Sequence, residues 1–391
     1  MTIDSESTIE SGLLDKYREV RGHTETLCAP LTIEDYTPQS AVFASPPKWH
    51  LAHVTWFIEE MILKQEVENY EVFDEQFSFL FNSYYNSLGQ RIARDQRGLI
   101  TRPSVERVYA YRAHVDGQMA QLLARDYTAR VEELTILAIN HEQQHQELLI
   151  TDLKYTFSHN PIHPIYKKEV IVSDHNVEPG WHSVEAGLYE IGHQGEGFHF
   201  DNELGRHRVY LEDFEISKSL VTNGEFLAFI KDGGYKKAGL WLDEGWAWVN
   251  EGKKEQPLYW HQKDGQWYYY TLAGLKEVDM DAILCHVSFY EAAAFAMYSG
   301  MRLPTEFEWE TAADNLKWGK RWEWTYSAYL PYPRFSIKPG AVGEYNGKFM
   351  VNQMVLRGSS VATAPGHSRK TYRNFFHPQY QWQYTGIRLV K

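Results

Sequence analysis

The sequence predicts an α+β protein in two parts, an N-terminal four-helix bundle followed by a C-terminal domain of short strands, helices and irregular chain. Three observations predict it. At 391 residues the chain exceeds the usual size of a single core, so two domains are expected. Four stretches, at about residues 7–28, 46–65, 104–126 and 129–157, carry helical periodicity with few internal breakers. Beyond about residue 177 the texture changes to short alternating runs such as Arg208-Val209-Tyr210-Leu211 and Glu215-Ile216-Ser217, separated by Gly, Asp and Asn turns. The expected division is a helical domain over 1–157, a linker over 158–176 containing Pro161 and Pro164, and a second domain over 177–391.

Taken in order, the second helix opens on Ser45-Pro46-Pro47, with the serine expected as N-cap and proline in the first turn. Trp49, His53, Trp56, Phe57 and Glu60 then share one face, an aromatic stripe that must pack inward, with His50 off its centre. Phe77 to Pro103 reads as a long loop rich in Asn, Ser, Gly and Arg, and long loops in compact domains are usually functional. On the fourth helix Leu134, Leu137, His141, His145, Leu148 and Leu149 recur at helical spacing, which puts two histidines on the leucine face.

His141 and His145 lie one turn apart, so both imidazoles can reach one ion. His53, inward on the second helix, is the candidate third donor. Three neutral imidazoles would cap one face of iron, copper or zinc and leave other positions open. Interior histidines hydrogen-bonded across helices are the alternative. His141-Glu142-Gln143-Gln144-His145 also matches the H-E-x-x-H pattern of zinc hydrolases, in which Glu142 would be the base. That reading needs a downstream third ligand, and the next histidines, His159 and His163, fall in the Pro-rich linker.

The net charge of −13 argues against a nucleic-acid surface. Met1 to Glu10 is polar and acidic, and no later stretch has the length and apolarity of a membrane span, so cytoplasmic residence without a membrane partner is expected. Cys28 and Cys285 are too few for a disulfide framework and form no Cys-x-x-Cys motif. The 13 tryptophans and 26 tyrosines suit either aromatic-lined binding surfaces or two aromatic-rich cores.

Ser45-Pro46 with Trp49-His50-Leu51-Ala52-His53, together with His141-Glu142-Gln143-Gln144-His145, resembles the metal-binding elements of a DinB-like helical domain. Asp201-Asn202-Glu203, Val221-Thr222-Asn223-Gly224-Glu225-Phe226, Arg302-Leu303-Pro304-Thr305-Glu306-Phe307-Glu308-Trp309-Glu310 and Gly386-Ile387-Arg388-Leu389 resemble the formylglycine-generating-enzyme fold, a C-type-lectin-like variant. In this order, the motifs make the chain similar from about residue 40 to its end to the EgtB-type sulfoxide synthases of ergothioneine biosynthesis.

The resemblance implies iron(II) held by His53, His141 and His145, with O2 as co-substrate and a C–S bond formed between imidazole carbon 2 of hercynine and a thiol, L-cysteine. It places Gln144 against hercynine and one phenol of Tyr84-Tyr85 near the metal as a proton or electron donor. Arg91, Arg94 or Arg97 would clamp the thiol's carboxylate. Thr371-Tyr372-Arg373-Asn374-Phe375-Phe376 resembles the loop that closes over hercynine, with Asn374 at its ammonium and Phe375 and Phe376 as aromatic neighbours. Phe376 stands where some relatives carry an acidic residue, which points away from γ-glutamylcysteine. An ovothiol-type or selenoneine-type synthase, a γ-glutamylcysteine-using hercynine oxygenase, a zinc hydrolase and a non-enzymatic ligand-binding protein are the competing readings.

Overall fold

In a computed structural model of the chain, residues 12–83, 85, 89–168, 174–337 and 346–391 are described. They form two compact units, one up to Ile150 and the other from Thr151 onward.

The helical unit contains α1 (Leu13–Cys28), α2 (Pro47–Ile58), a short α3 (Phe77–Phe81), α4 (Val105–Leu123) and most of α5 (Ala129–Ser158). The four long helices lie where periodicity predicts them; residues 7–11 of the first fall outside the described residues. Pro46 and Pro47 start α2 by fixing φ, but the N-cap is Pro46 and not Ser45. The serine is otherwise committed, because its Oγ accepts from Arg97 Nη1 at 2.9 Å. All twelve residues of α2 are buried, so it is the central helix and its polar side chains must find partners inside the unit. His50 is therefore as interior as His53, contrary to the amphipathic reading of this helix. The chain continues through a π-helical turn, Glu59–Leu63, into the single turn Lys64–Glu66. The π turn presents Glu59 to Tyr70 Oη at 2.7 Å and Tyr111 Oη at 2.5 Å, which satisfies a buried carboxylate.

α5 is 30 residues long, and its last two turns, from Thr151, pack within the second unit. Among its described residues that unit holds four small sheets. The largest has the order β10-β9-β8-β11, from β8 (Trp322–Ala328), β9 (Met354–Gly358), β10 (Asn374–Phe376) and β11 (Thr385–Gly386), with β11 parallel to β8 and the other pairs antiparallel. Beside it are a meander, β5 (Trp260–Lys263), β6 (Gln266–Thr271) and β7 (Gly274–Glu277), and two pairs. The pairs are β1 (Trp181–Val184) with β4 (Phe214–Ser217) and β2 (Gly187–Ile191) with β3 (His207–Leu211). The four helices here, α6 (Asn223–Lys231), α7 (Asp243–Glu251), α8 (Phe289–Tyr298) and α9 (Glu306–Ala312), are short. Three begin with capping boxes, Thr222 with Glu225, Ser288 with Glu291 and Thr305 with Glu308.

One core joins Val184, Leu211, Phe214, Ile216, Ala312, Leu316 and Val390. The Arg302–Glu310 and Gly386–Leu389 motifs build this fold directly. Glu306 pairs with Arg373 at 2.8 Å, Glu310 with Arg357, and Glu323 with Arg388, all buried. Gly386 is required by close approach, since a Cβ there would stand 2.9 Å from Arg321 Cβ. Among the described residues no helix is long and apolar enough to cross a membrane.

Candidate metal centre

His53, His141 and His145 are brought together inside the helical unit, with one ring nitrogen of each within 4.8 Å of the others. It is the one such grouping of three potential ligands among the described residues. α2 contributes the first histidine and adjacent turns of α5 the other two. All three rings are buried, His53 completely.

Their hydrogen bonds fix which nitrogen is left over. His53 Nδ1 lies 2.6 Å from the carbonyl oxygen of Phe81, so Nδ1 carries the proton and donates. Its Nε2 is then a lone-pair donor, buried and without a hydrogen-bond partner. His145 Nδ1 is 2.9 Å from His50 Nδ1, which leaves its Nε2 toward the cluster. Burial, and then the mutual repulsion of the histidines, lowers the basicity of His53 and His145 well below normal; burial brings His141 to about 3. Neutral imidazoles with an orphaned buried lone pair are the donor state that a first-row metal needs. Ring nitrogens around such an ion stand roughly 3 Å apart, so side-chain shifts on the order of an ångström complete the set.

Aromatic residues hold the rings. Trp49 stacks on His53 at 4.4 Å and 11°, Trp56 covers its other side at 5.4 Å and 18°, and Phe57 lies 4.4 Å from His141. Tyr85 is buried, 5.6 Å from Trp56 and 5.9 Å from Phe57, one ring removed from the histidines. Tyr84 lies outside the described residues.

Among the three arginines, only Arg97 is buried. Its Nη1 and Nη2 donate to Ser45 Oγ and Ser83 Oγ, each at 2.9 Å, and its guanidinium carbon sits 3.4 Å from the Trp49 ring centroid. Its charge reaches His53 and His145 and further lowers their basicity. Arg94 is exposed and donates to the carbonyl of Phe43, and Arg91 is exposed. Gln144 is half-buried between the ligand-bearing positions of α5. Asn374, Phe375 and Phe376 form β10 of the second unit. There Asn374 accepts from Phe375 N, Phe375 stacks on Tyr329 at 4.1 Å, and Phe376 meets Trp382 edge-on.

Glu142 is held away from the role a hydrolase would give it. Its carboxylate accepts from Arg21 at 2.8 Å, Arg112 at 3.1 Å and Thr24 at 2.6 Å, all buried. Burial alone would raise its pKa, but the two guanidiniums outweigh that and hold it below the usual carboxylate range. A carboxylate so engaged is a buried structural anion, bound in ion pairs to two guanidiniums.

Two site contacts were invisible to periodicity, Arg97 on Trp49 and His50 on His145. The signals available were only the buried register of α2 and an arginine in a long loop.

Residues 16–149 match the DinB superfamily, and residues 167–324 match the sulfatase-modifying factor enzyme 1-like domain. The chain is 29% identical to the hercynine oxygenase of Mycolicibacterium smegmatis, over 65% of this chain and 70% of that one. It is 30% identical to the hercynine oxygenase of Mycolicibacterium thermoresistibile over 50% of this chain and 54% of the relative, so it spans only about half of that protein's length. A formylglycine-generating enzyme of Streptomyces coelicolor is 30% identical over 33% of this chain and 45% of its own. A DinB unit carrying a buried histidine triad is followed by a sulfatase-modifying-factor-like unit, and in this pairing and in its hercynine oxygenase relatives the chain is similar to the EgtB-type proteins.

Proposed function

We propose that this protein is an iron(II)- and O2-dependent sulfoxide synthase joining L-cysteine to imidazole carbon 2 of hercynine. The observation that carries the reading is the buried, neutral triad of His53, His141 and His145 with the unpartnered Nε2 of His53. Its likeness to hercynine oxygenases supports the substrate.

The balance is simple. One C–H bond of hercynine and one S–H bond of the thiol are lost, a C–S bond and an S=O bond form, and O2 takes up four electrons to yield the sulfoxide oxygen and one water. Iron(II), when bound, supplies a Lewis-acidic site for the thiolate and the electron transfer that O2 reduction needs.

The protein's own residues do the rest. Phe81 holds the His53 ring in one tautomer, and Trp49 and Trp56 sandwich it, so the donor direction is set before binding. Three uncharged donors leave the full metal charge to attract a thiolate, where a carboxylate ligand would cancel part of it. Arg97, fixed behind Trp49, adds positive potential at the same place without offering its two bonded nitrogens to substrate. In this reading a phenol of Tyr84 or Tyr85 delivers a proton and Gln144 contacts hercynine. By resemblance of sequence, Asn374, Phe375 and Phe376 recognise the trimethylammonium.

The test is product analysis. Protein reconstituted anaerobically with iron(II) is mixed with hercynine, cysteine or γ-glutamylcysteine and 18O2, and followed by mass spectrometry. A hercynyl-cysteine sulfoxide carrying one 18O supports the proposal. Preference for γ-glutamylcysteine overturns the thiol assignment alone, and zinc-dependent peptide cleavage overturns the oxygenase reading.

A further inference from the structure

His50 stands outside the set of three ligand-capable histidines, yet it is buried and makes one short polar contact with a member of that set, 2.9 Å between its Nδ1 and Nδ1 of His145. Their ring centroids are 5.2 Å apart and tilted at 60°, so the two nitrogens meet edge to edge and the rings do not stack. Trp49 meets His50 at 5.7 Å and 77°, limiting how far the ring can turn. One proton must lie between the two Nδ1 atoms, since two lone pairs at that distance would repel and two N–H groups would clash.

We propose that His50 is a positioning residue for the metal centre, accepting the Nδ1 proton of His145 so that Nε2 of His145 is held as a metal donor. The inference rests on the reading that His53, His141 and His145 hold a metal. It makes the centre symmetrical in an unexpected way. His53 has its Nδ1 proton fixed by the Phe81 carbonyl, and His145 has its own fixed by a fourth imidazole. Outer hydrogen-bond partners of this kind set tautomer and ring direction and raise donor strength. In this arrangement His50 carries its own proton on Nε2 and acts on the metal only through His145. The i, i+3 step from His50 to His53 places a holder and a ligand on neighbouring parts of one buried helix.

Two amide replacements separate this role from packing. In asparagine the side-chain oxygen occupies the place of histidine Nδ1, attached to the same Cγ; in glutamine it lies one atom further out, near the place of Nε2. Both are polar, uncharged and close to imidazole in size, so the contrast isolates the position of the acceptor. Cobalt(II), whose visible bands report its ligands, is titrated into the wild-type chain, His50→Asn, His50→Gln and His145→Ala.

His50→Asn should bind within about threefold of wild type with an unchanged spectrum, whereas His50→Gln should bind roughly 10- to 100-fold more weakly with altered bands. Wild-type affinity and bands in His50→Gln, or equal weakening in both amides, would overturn the inference while leaving the triad standing. Equal cobalt binding by the wild-type chain and His145→Ala would instead overturn the metal reading itself, and the inference with it.

Discussion

Arg97 lies flat on Trp49, its guanidinium carbon 3.4 Å from the ring centroid, and the same indole stacks on His53. A cation is thus built one ring away from a buried imidazole, where it disfavours protonation and favours a neutral donor. The fork of Arg97 also ties Ser45, at the entry to α2, to Ser83, beyond α3.

Removing this side chain should therefore cost both stacking and two charge-assisted bonds. Arg97→Ala is expected to lower unfolding free energy by roughly 3 kcal/mol in urea, and Arg97→Lys to recover less than half, because an ammonium cannot stack and bridge both serines. A lysine variant as stable as wild type would show that point charge alone matters.

Glu142→Gln should destabilise the helical unit by about 3 kcal/mol, since Arg21 and Arg112 would lose their shared buried anion. Chemical denaturation reads this directly. In a zinc hydrolase the same change would leave the fold intact and abolish peptide cleavage.

Alkaline stability should show an unusual sign. Lys154 is buried against His286, Nζ to Nε2 at 2.7 Å, and burial, then repulsion from Arg321, lowers it from 10.5 to about 7. Between those values the unfolded chain binds the proton and the folded one does not, so this group makes stability rise with pH from about 7 to 10.5. The contribution is lost as pH falls through about 7. Its slope approaches about 1.4 kcal/mol per pH unit. Denaturation midpoints of wild type and Lys154→Met across that range should converge toward low slope in the variant; parallel curves would contradict the assignment.

Helix positions were legible because apolar residues recur with the helical period, and so were His141, His145 and the inward phase of His53. The N-cap was misjudged because Ser45 has a tertiary partner 52 residues away that no local rule contains. The same limit hid His50, which periodicity placed off the apolar stripe although all of α2 is buried. In the second unit the family motifs are legible as sequence, but their reasons are long-range ion pairs such as Glu306 with Arg373 and Glu323 with Arg388.

The tyrosine pair separates by kinetics. If a phenol serves the reaction, Tyr85→Phe or Tyr84→Phe should keep the KM for hercynine and thiol but lower sulfoxide formation by about 10²-fold or more, on the order expected for loss of a positioned proton donor, with thiol diverted to sulfinate. Normal rate and product ratio in both variants would assign the buried Tyr85 ring to packing against Trp56 and Phe57.

Iron(II) titration of the wild-type chain and of His53→Ala, His141→Ala and His145→Ala under anaerobic conditions decides whether the triad holds the metal. The account predicts one iron per wild-type chain and at least a roughly 100-fold loss of affinity, about 2.7 kcal/mol, in each variant, because each removes one inner bond. His114→Ala, a histidine outside the cluster, should bind as wild type does. Undiminished iron binding by His53→Ala would contradict the account.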